Sequence, residues 1–203
     1  MGVKVITISR QFGSGGHAIG KLVAEKLGIE FVDSTLLDKT VEKTGFSAEF
    51  IKEASEYATS ASSLLFSLSL ASYAQGVGLA SPYDKIFAAQ NKIIKDHAEE
   101  GPCVIVGRCA DYVLEDNPEC LHIFIHASQE AKIERVAKEF PDEKVSPETK
   151  IKEMDRRRKA YYKHYTGRAW GQTENYHLSL DSGKLGLEAC ADIIVDLYKN
   201  LNR

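Results

Sequence analysis

Residues 3–21 hold the chain's most pointed chemistry. A β-branched run, Val3 to Ile8, leads through Ser9-Arg10 into the turn Gly13-Ser14-Gly15-Gly16. Apolar residues then recur with helical spacing at Ile19, Leu22, Val23 and Leu27. Strand, glycine turn and helix start together make a phosphate-binding loop, because glycines let successive backbone N–H groups curl inward and the unsatisfied amides of a helix start draw an anion. In the usual pattern G-x-x-x-x-G-K-[ST], the lysine reaches the outer phosphates and the hydroxyl holds magnesium. With Gly15 on the second glycine, Arg10 falls on the first glycine, Gly16 on the lysine and His17 on the hydroxyl. The backbone cradle survives and both side-chain functions are lost. Arg10 and Lys21 are the candidate substitute cations. Lys21 lies one turn along the helix, where side chains lean back toward the N-terminus. The plainer reading is a strand-to-helix turn that uses glycine for its φ freedom, but three glycines and a serine in four residues favour phosphate. His17 reads either as a phosphate donor or as an exposed histidine, since no partner spacing supports a metal cluster.

These residues need a scaffold that brings strand ends together. Five apolar runs read as strands, 3–8, 30–32, 103–106, 121–125 and 178–180, and helical patterns separate them. That alternation predicts a parallel sheet covered on both faces by helices. The helix at 84–98 presents Ile86, Phe87, Gln90, Ile93, Ile94 and His97; the helix at 128–140, capped by Ser128, is expected to bury Ile133, Val136, Ala137 and Phe140. Ser146-Pro147-Glu148 opens a long basic helix, and Leu187, Cys190, Ala191, Ile194, Leu197 and Leu201 mark a core-facing final helix. The strands stop at Ser9-Arg10, Asp33-Ser34, Gly107-Arg108, His126 and Asp181-Ser182. Ligands of open α/β sheets bind outside the carboxyl ends of strands, so these polar ends describe a site, although Asp33 and Ser128 singly read as helix caps.

Between Lys150 and Arg168 lie nine basic groups, counting His164, with Asp155 among them. Phosphoryl transfer asks for in-line positioning and for cations around three charged oxygens. An arginine-rich segment placed after the fourth strand can close over phosphates and exclude water. The bland alternatives are a solvated helix face, or an RNA-binding patch using Tyr161, Tyr162, Tyr165 and Trp170.

Composition sets limits. The 203 residues suit one domain, with 43% hydrophobic and 27% charged residues and a net charge of −3. That balance argues against a nucleic-acid partner. Cys103, Cys109, Cys120 and Cys190 show no C-x-x-C spacing and read as buried reduced thiols, which fits a cytoplasmic location. No leader pattern opens the chain, and the run from Leu64 to Ala80 is broken by serines and glycines, so no membrane span is expected.

Assembled, the residues resemble the cytidylate kinase-like family of P-loop nucleoside monophosphate kinases nearly end to end. The resemblance is carried by Ile8-Ser9-Arg10…Gly13-Ser14-Gly15-Gly16, by Asp155-Arg156-Arg157-Arg158-Lys159-Ala160-Tyr161-Tyr162 and by Trp170-Gly171…Tyr176-His177-Leu178. It implies a three-layer αβα sandwich, with a five-stranded parallel sheet in the order 2-3-1-4-5. It also implies one domain over 1–203, with a helical acceptor-binding insertion at 47–82 and a lid at 141–176. The implied activity is ATP- and Mg2+-dependent phosphorylation of CMP or dCMP. On this reading Arg10, Gly13, Ser14, Gly15, Gly16 and His17 hold the donor and Asp33, Arg108 and Asp111 the acceptor. Asp155, Arg157, Arg158 and Lys21 serve catalysis. The family pattern is broken at three places: Cys109 replaces an aspartate, Ile151 replaces the first lid arginine, and the stretch Leu36-Leu37-Asp38-Lys39 stands where a Tyr-Arg pair is expected. A kinase of another metabolite and a nucleotide-binding regulator without catalysis therefore stay open. Leu64, Leu65, Leu68 and Ala71 on one helical face, with Phe66, Leu70 and Tyr73 on another, suggest a homodimer or, as the plainer reading, a helix buried wholly within the insertion.

Overall fold

A computed structural model of the chain describes residues 2–42, 45–47, 51 and 82–203. Most of the expected insertion, and the two-faced helix on which the homodimer was inferred, lie outside the described residues. Elements are numbered among the described residues. The first half of the fold runs β1 (Val5–Arg10), α1 (Gly16–Leu27), β2 (Glu30–Val32), α2 (Ser34–Glu42), α3 (Pro82–Glu100), β3 (Cys103–Val106) and α4 (Ala110–Val113). It continues with β4 (Cys120–His126), α5 (Gln129–Glu139), α6 (Pro147–Thr166), a 3-10 turn (Thr173–Asn175), β5 (Leu178–Asp181), α7 (Ser182–Leu185) and α8 (Leu187–Leu201).

The strands form one parallel sheet in the order β2-β3-β1-β4-β5. Alternate residues feed opposite layers, as the two-residue period of a strand requires. Val5, Cys103 and Ile105 join Val32, Ile86 and Ile94 in one core, whereas Ile6, Ile8, Val104 and Val106 join Ile19, Val23, Cys190 and Ile194 in the other. β1 is central, paired with β3 through Val5↔Cys103 and with β4 through Val5↔Cys120. The chain leaves β1 toward β2 and β3 and then crosses to β4 on the far side. The reversal leaves a crevice at the carboxyl end of β1.

Helix boundaries follow local chemistry. Ser128 Oγ accepts from the Ala131 N–H at 3.2 Å to start α5. Ser146 does the same for Thr149 at 3.3 Å to start α6, with Pro147 in the first turn, and Gly167 at φ +71 ends it. The α5 expectation needs correction. Val136 and Lys132 are its buried residues, while Ala137 is exposed and Phe140 is 39% exposed. The helix turns that face onto the glycine loop rather than onto the sheet, so its inner surface includes a lysine. Leu201, the last residue of α8, is also exposed.

Candidate active site

The loop between β1 and α1 is held open by backbone geometry. Gly13 and Gly15 both adopt φ +74, a conformation that costs a residue with a Cβ roughly 1–2 kcal/mol. Its underside is tied down from three directions. Gln11 N donates to the Ile125 carbonyl at 2.9 Å, Arg135 Nη1 donates to the Gly13 carbonyl at 2.6 Å, and the buried Ser182 hydroxyl bonds the carbonyls of Ser14 and His126. The Phe12 N–H faces α6 and donates to the Asp155 carboxylate at 2.7 Å, with Lys132 Nζ 3.5 Å from the other oxygen. An anionic group thus already sits on one amide of the loop.

Beside the loop lies a cavity of about 180 Å³. Ser9, Arg10, Ser34, Gly107, Arg108 and Cys109 line it from the sheet side, and Met154, Arg157, Arg158, Tyr161, Tyr162 and Trp170 from the α6 side. Four arginines converge there, and among the described residues no carboxylate lines the wall. Burial, with Arg158 and Arg108 nearby, pulls the Arg10 guanidinium well below its ordinary pKa, although Asp33 pushes the other way. Burial likewise brings Arg158 down to about 10, against the pull of Asp155. Arg108 and Arg157 carry their own carboxylates, Asp38 and Glu153, whereas Arg10 and Arg158 are buried like charges beside each other that favour an incoming anion. Arg158 donates to the Arg10 carbonyl at 2.9 Å and lies over the Phe12 ring, so α6 is docked against the loop.

Arg108 is aimed by a chain of side chains from three helices. Its Nη2 pairs with Asp38 at 2.7 Å; Gln90 donates to Asp38 at 3.1 Å, and Tyr161 donates to Gln90 at 3.2 Å. Its Nε is buried without a hydrogen-bond partner among the described residues. The backbone beneath is strained: Gly107, Arg108 and Cys109 have φ of +85, +55 and +56. Two successive non-glycine residues in the left-handed region cost about 1–2 kcal/mol each, a cost that folds tolerate where a site needs the geometry.

The sequence-derived residues are divided by the structure. Arg10, Arg108, Arg157 and Arg158 meet in the cavity, and Asp155 stands on the loop. Lys21 stays out, solvent-exposed beside Glu25 on the outer surface of α1. His17 Nε2 lies 3.0 Å from Asp33 Oδ2, and Asp33 also caps α2 by accepting from Thr35 and Leu36. Burial alone would raise the Asp33 carboxyl, but the His17 and amide hydrogen bonds outweigh it and hold the group low. Asp111 is buried behind the wall, where it accepts from Ser9 at 3.1 Å and Tyr162 at 2.7 Å, and burial pushes its carboxyl up. It supports two lining residues and does not line the cavity itself. His126 and Asp181 also stay outside the wall, and Asp181 caps α7. Trp170 reaches the cavity because Gly171, at φ +76, lets the turn lie flat on Phe124.

Sequence reasoning missed Lys132, Arg135, Asp38 and Gln90 as parts of the site. Gln90 alone left a signal, a glutamine inside an apolar helix stripe. Among the described residues no cluster of His, Cys, Asp or Glu is arranged to hold a metal, and His17 offers no hydroxyl to magnesium. Backbone amides at a helix start and a wall of arginines are groups that hold a chain of phosphates.

A family model described as the cytidylate kinase-like family matches residues 5–184, and the chain belongs to that family. No curated protein gives a significant match. Among solved structures, an uncharacterized protein from Eubacterium ventriosum is similar at 27% identity and TM-score 0.71, over 96% of this chain and 98% of its own. A shikimate kinase from Acinetobacter baumannii, in complex with shikimate, is similar at 15% identity and TM-score 0.53, covering 98% of this chain and 94% of its own. A gluconokinase from Sinorhizobium meliloti is similar at 16% identity and TM-score 0.51, covering 99% and 95%. The last two likenesses speak for the P-loop kinase fold.

Proposed function

With membership of that family as the premise, we propose that the protein transfers the γ-phosphoryl group of ATP to a nucleoside monophosphate, CMP or dCMP first among them. The observation that carries this reading is the convergence of Arg10, Arg108, Arg157 and Arg158 on one cavity beside the glycine loop. The amides of Gly13 to His17 hold the donor phosphates, and Arg108, aimed by Asp38, holds the acceptor phosphate. Arg157 and Arg158 gather charge as it spreads over the transferring group. An acceptor phosphate oxygen attacks the γ-phosphorus; the new O–P bond forms as the bond to the β-bridging oxygen breaks, and ADP leaves with the electron pair. The acceptor oxygen is already anionic, so no general base is assigned. Tyr161, Tyr162 and Trp170 supply flat apolar walls suited to a base. Four free, buried cysteines fit a reducing, cytoplasmic setting.

The test is the purified chain with ATP, magnesium and a panel of monophosphates, assayed for the diphosphate. Product from CMP or dCMP is expected, and none from any monophosphate contradicts the reading. A second reading, a kinase of another small metabolite, is favoured by Cys109 at the acceptor strand end and by the prior engagement of Arg108 with Asp38. Phosphorylation of a hydroxylated metabolite at the expense of CMP would select it. Tight nucleotide binding with no turnover on either panel would select a regulatory binder.

A further inference from the structure

The two departures of the loop from the usual pattern, at positions 10 and 16, touch each other. A Cβ on Gly16 would lie 2.5 Å from Arg10 Cβ, 2.9 Å from Arg10 Cγ and 3.3 Å from Ile125 Cβ. A side chain at 16 and the side chain of Arg10 therefore exclude one another. The Arg10 stem fills the space through which a lysine from 16 would leave the helix. Its guanidinium continues to the end of β3, where a Cβ on Gly107 would overlap Nη1. Glycine at 107, at φ +85, is what admits it. Among the described residues the guanidinium makes no direct hydrogen bond or ion pair; the Asp33 carboxylate acts on it only from a distance, and Arg108 and Arg158 are the cations in its surroundings.

We propose that the loop has exchanged its cation and its glycine: Arg10, at the position usually held by glycine, contacts the outer phosphates in place of the lysine, and Gly16 supplies the room. From the strand side the planar fork stands between the loop amides and Arg108, able to meet two phosphate oxygens at once where a lysine meets one. The inference rests on the proposed use of the loop to hold a polyphosphate and adds the residue that supplies its charge.

Four variants test it: Arg10→Met, Arg10→Lys, Gly16→Lys and the exchange Arg10→Gly/Gly16→Lys. ATP and inorganic tripolyphosphate are titrated by calorimetry, and thermal stability is recorded for each. Arg10→Met should weaken both ligands by about tenfold or more, the scale of one lost charge-assisted contact, and Arg10→Lys should recover part of that. Gly16→Lys alone should lower the Tm through the overlap with Arg10, whereas the exchanged protein should regain both the Tm and tripolyphosphate binding. Unchanged binding by Arg10→Met, or an exchanged protein that binds no better than Arg10→Met, overturns the proposal. Should Arg10→Met not fold, the exchanged protein is compared with wild type: tripolyphosphate binding within about tenfold of wild type supports the proposal, and no detectable binding overturns it. If Arg10→Met binds as wild type and both make a diphosphate, the exchange is wrong and the kinase reading stands. If binding is lost in Arg10→Met but wild type phosphorylates no acceptor, the exchange stands and the kinase reading falls. Wild type that binds neither ligand overturns both.

Discussion

Arg158 and Arg108 enter the cavity from opposite sides, and their surroundings assign them different sensitivities. Arg158 comes from α6, anchored on the Arg10 carbonyl at 2.9 Å. If it acts on charge that develops during transfer, Arg158→Ala lowers kcat by about 10²–10³-fold while the Kd for ATP moves by less than about tenfold. Steady-state kinetics beside calorimetry separates these effects. Arg108 is held through Asp38, itself bonded to the buried Gln90. Asp38→Asn removes the charge from that pair and keeps the shape, so KM for the acceptor rises, by about tenfold for roughly 1.5 kcal/mol of lost aim, with kcat less affected. A role confined to stability would instead lower the Tm and leave the KM-to-kcat split untouched.

Elements place these residues, and their legibility in the sequence was uneven for physical reasons. β1, β3 and β4 declare themselves through short, mostly apolar runs that end in polar residues, because strands buried on both faces are largely apolar. The caps at Ser128 and Ser146 were legible too, since capping is a local transaction between a side chain and amides three residues on. What α5 does was not. Its inner face carries Lys132 and Arg135, whose partners Asp155 and Gly13 are distant in sequence. Asp38 was hidden likewise, noted only as part of a stretch that replaces a Tyr-Arg pair. Ser182 at the start of α7 ties β4 and the loop together by bonding the carbonyls of His126 and Ser14. Ser182→Ala leaves buried carbonyls short of a donor, so it should cost about 1–3 kcal/mol in urea unfolding and loosen ATP binding as well. Equal ATP binding at unchanged stability would show that this contact does not shape the loop.

Across the whole molecule, a chain of net charge −3 concentrates four arginines in one crevice. Anions are thus drawn to a single place, and the on-rate of a nucleotide should fall as salt rises. The fold also carries a pH dependence away from that crevice. His122, buried beside His177, is pushed by burial from 6.5 down to about 4. The unfolded chain therefore binds the extra proton first, and stability present above the unfolded pKa is lost as pH falls toward the folded one. Denaturation should show about 2 kcal/mol lost between about pH 7 and pH 5, much of it absent in His122→Gln. Asp33, held low, adds the same sign at more acid pH. Asp111, pushed up by burial, opposes it, because the folded state keeps its proton longer.

The central claim is that the donor and acceptor phosphates meet between the glycine loop and the four arginines. Its most direct test is a crystal structure with a bisubstrate analogue, adenosine and cytidine joined through a chain of phosphates. The account predicts that chain running from the amides of Gly13 to Gly16, past Arg10, to Arg108, with Arg157 and Arg158 against its middle. A phosphate chain bound elsewhere, with the loop amides and the cavity unused, would contradict it.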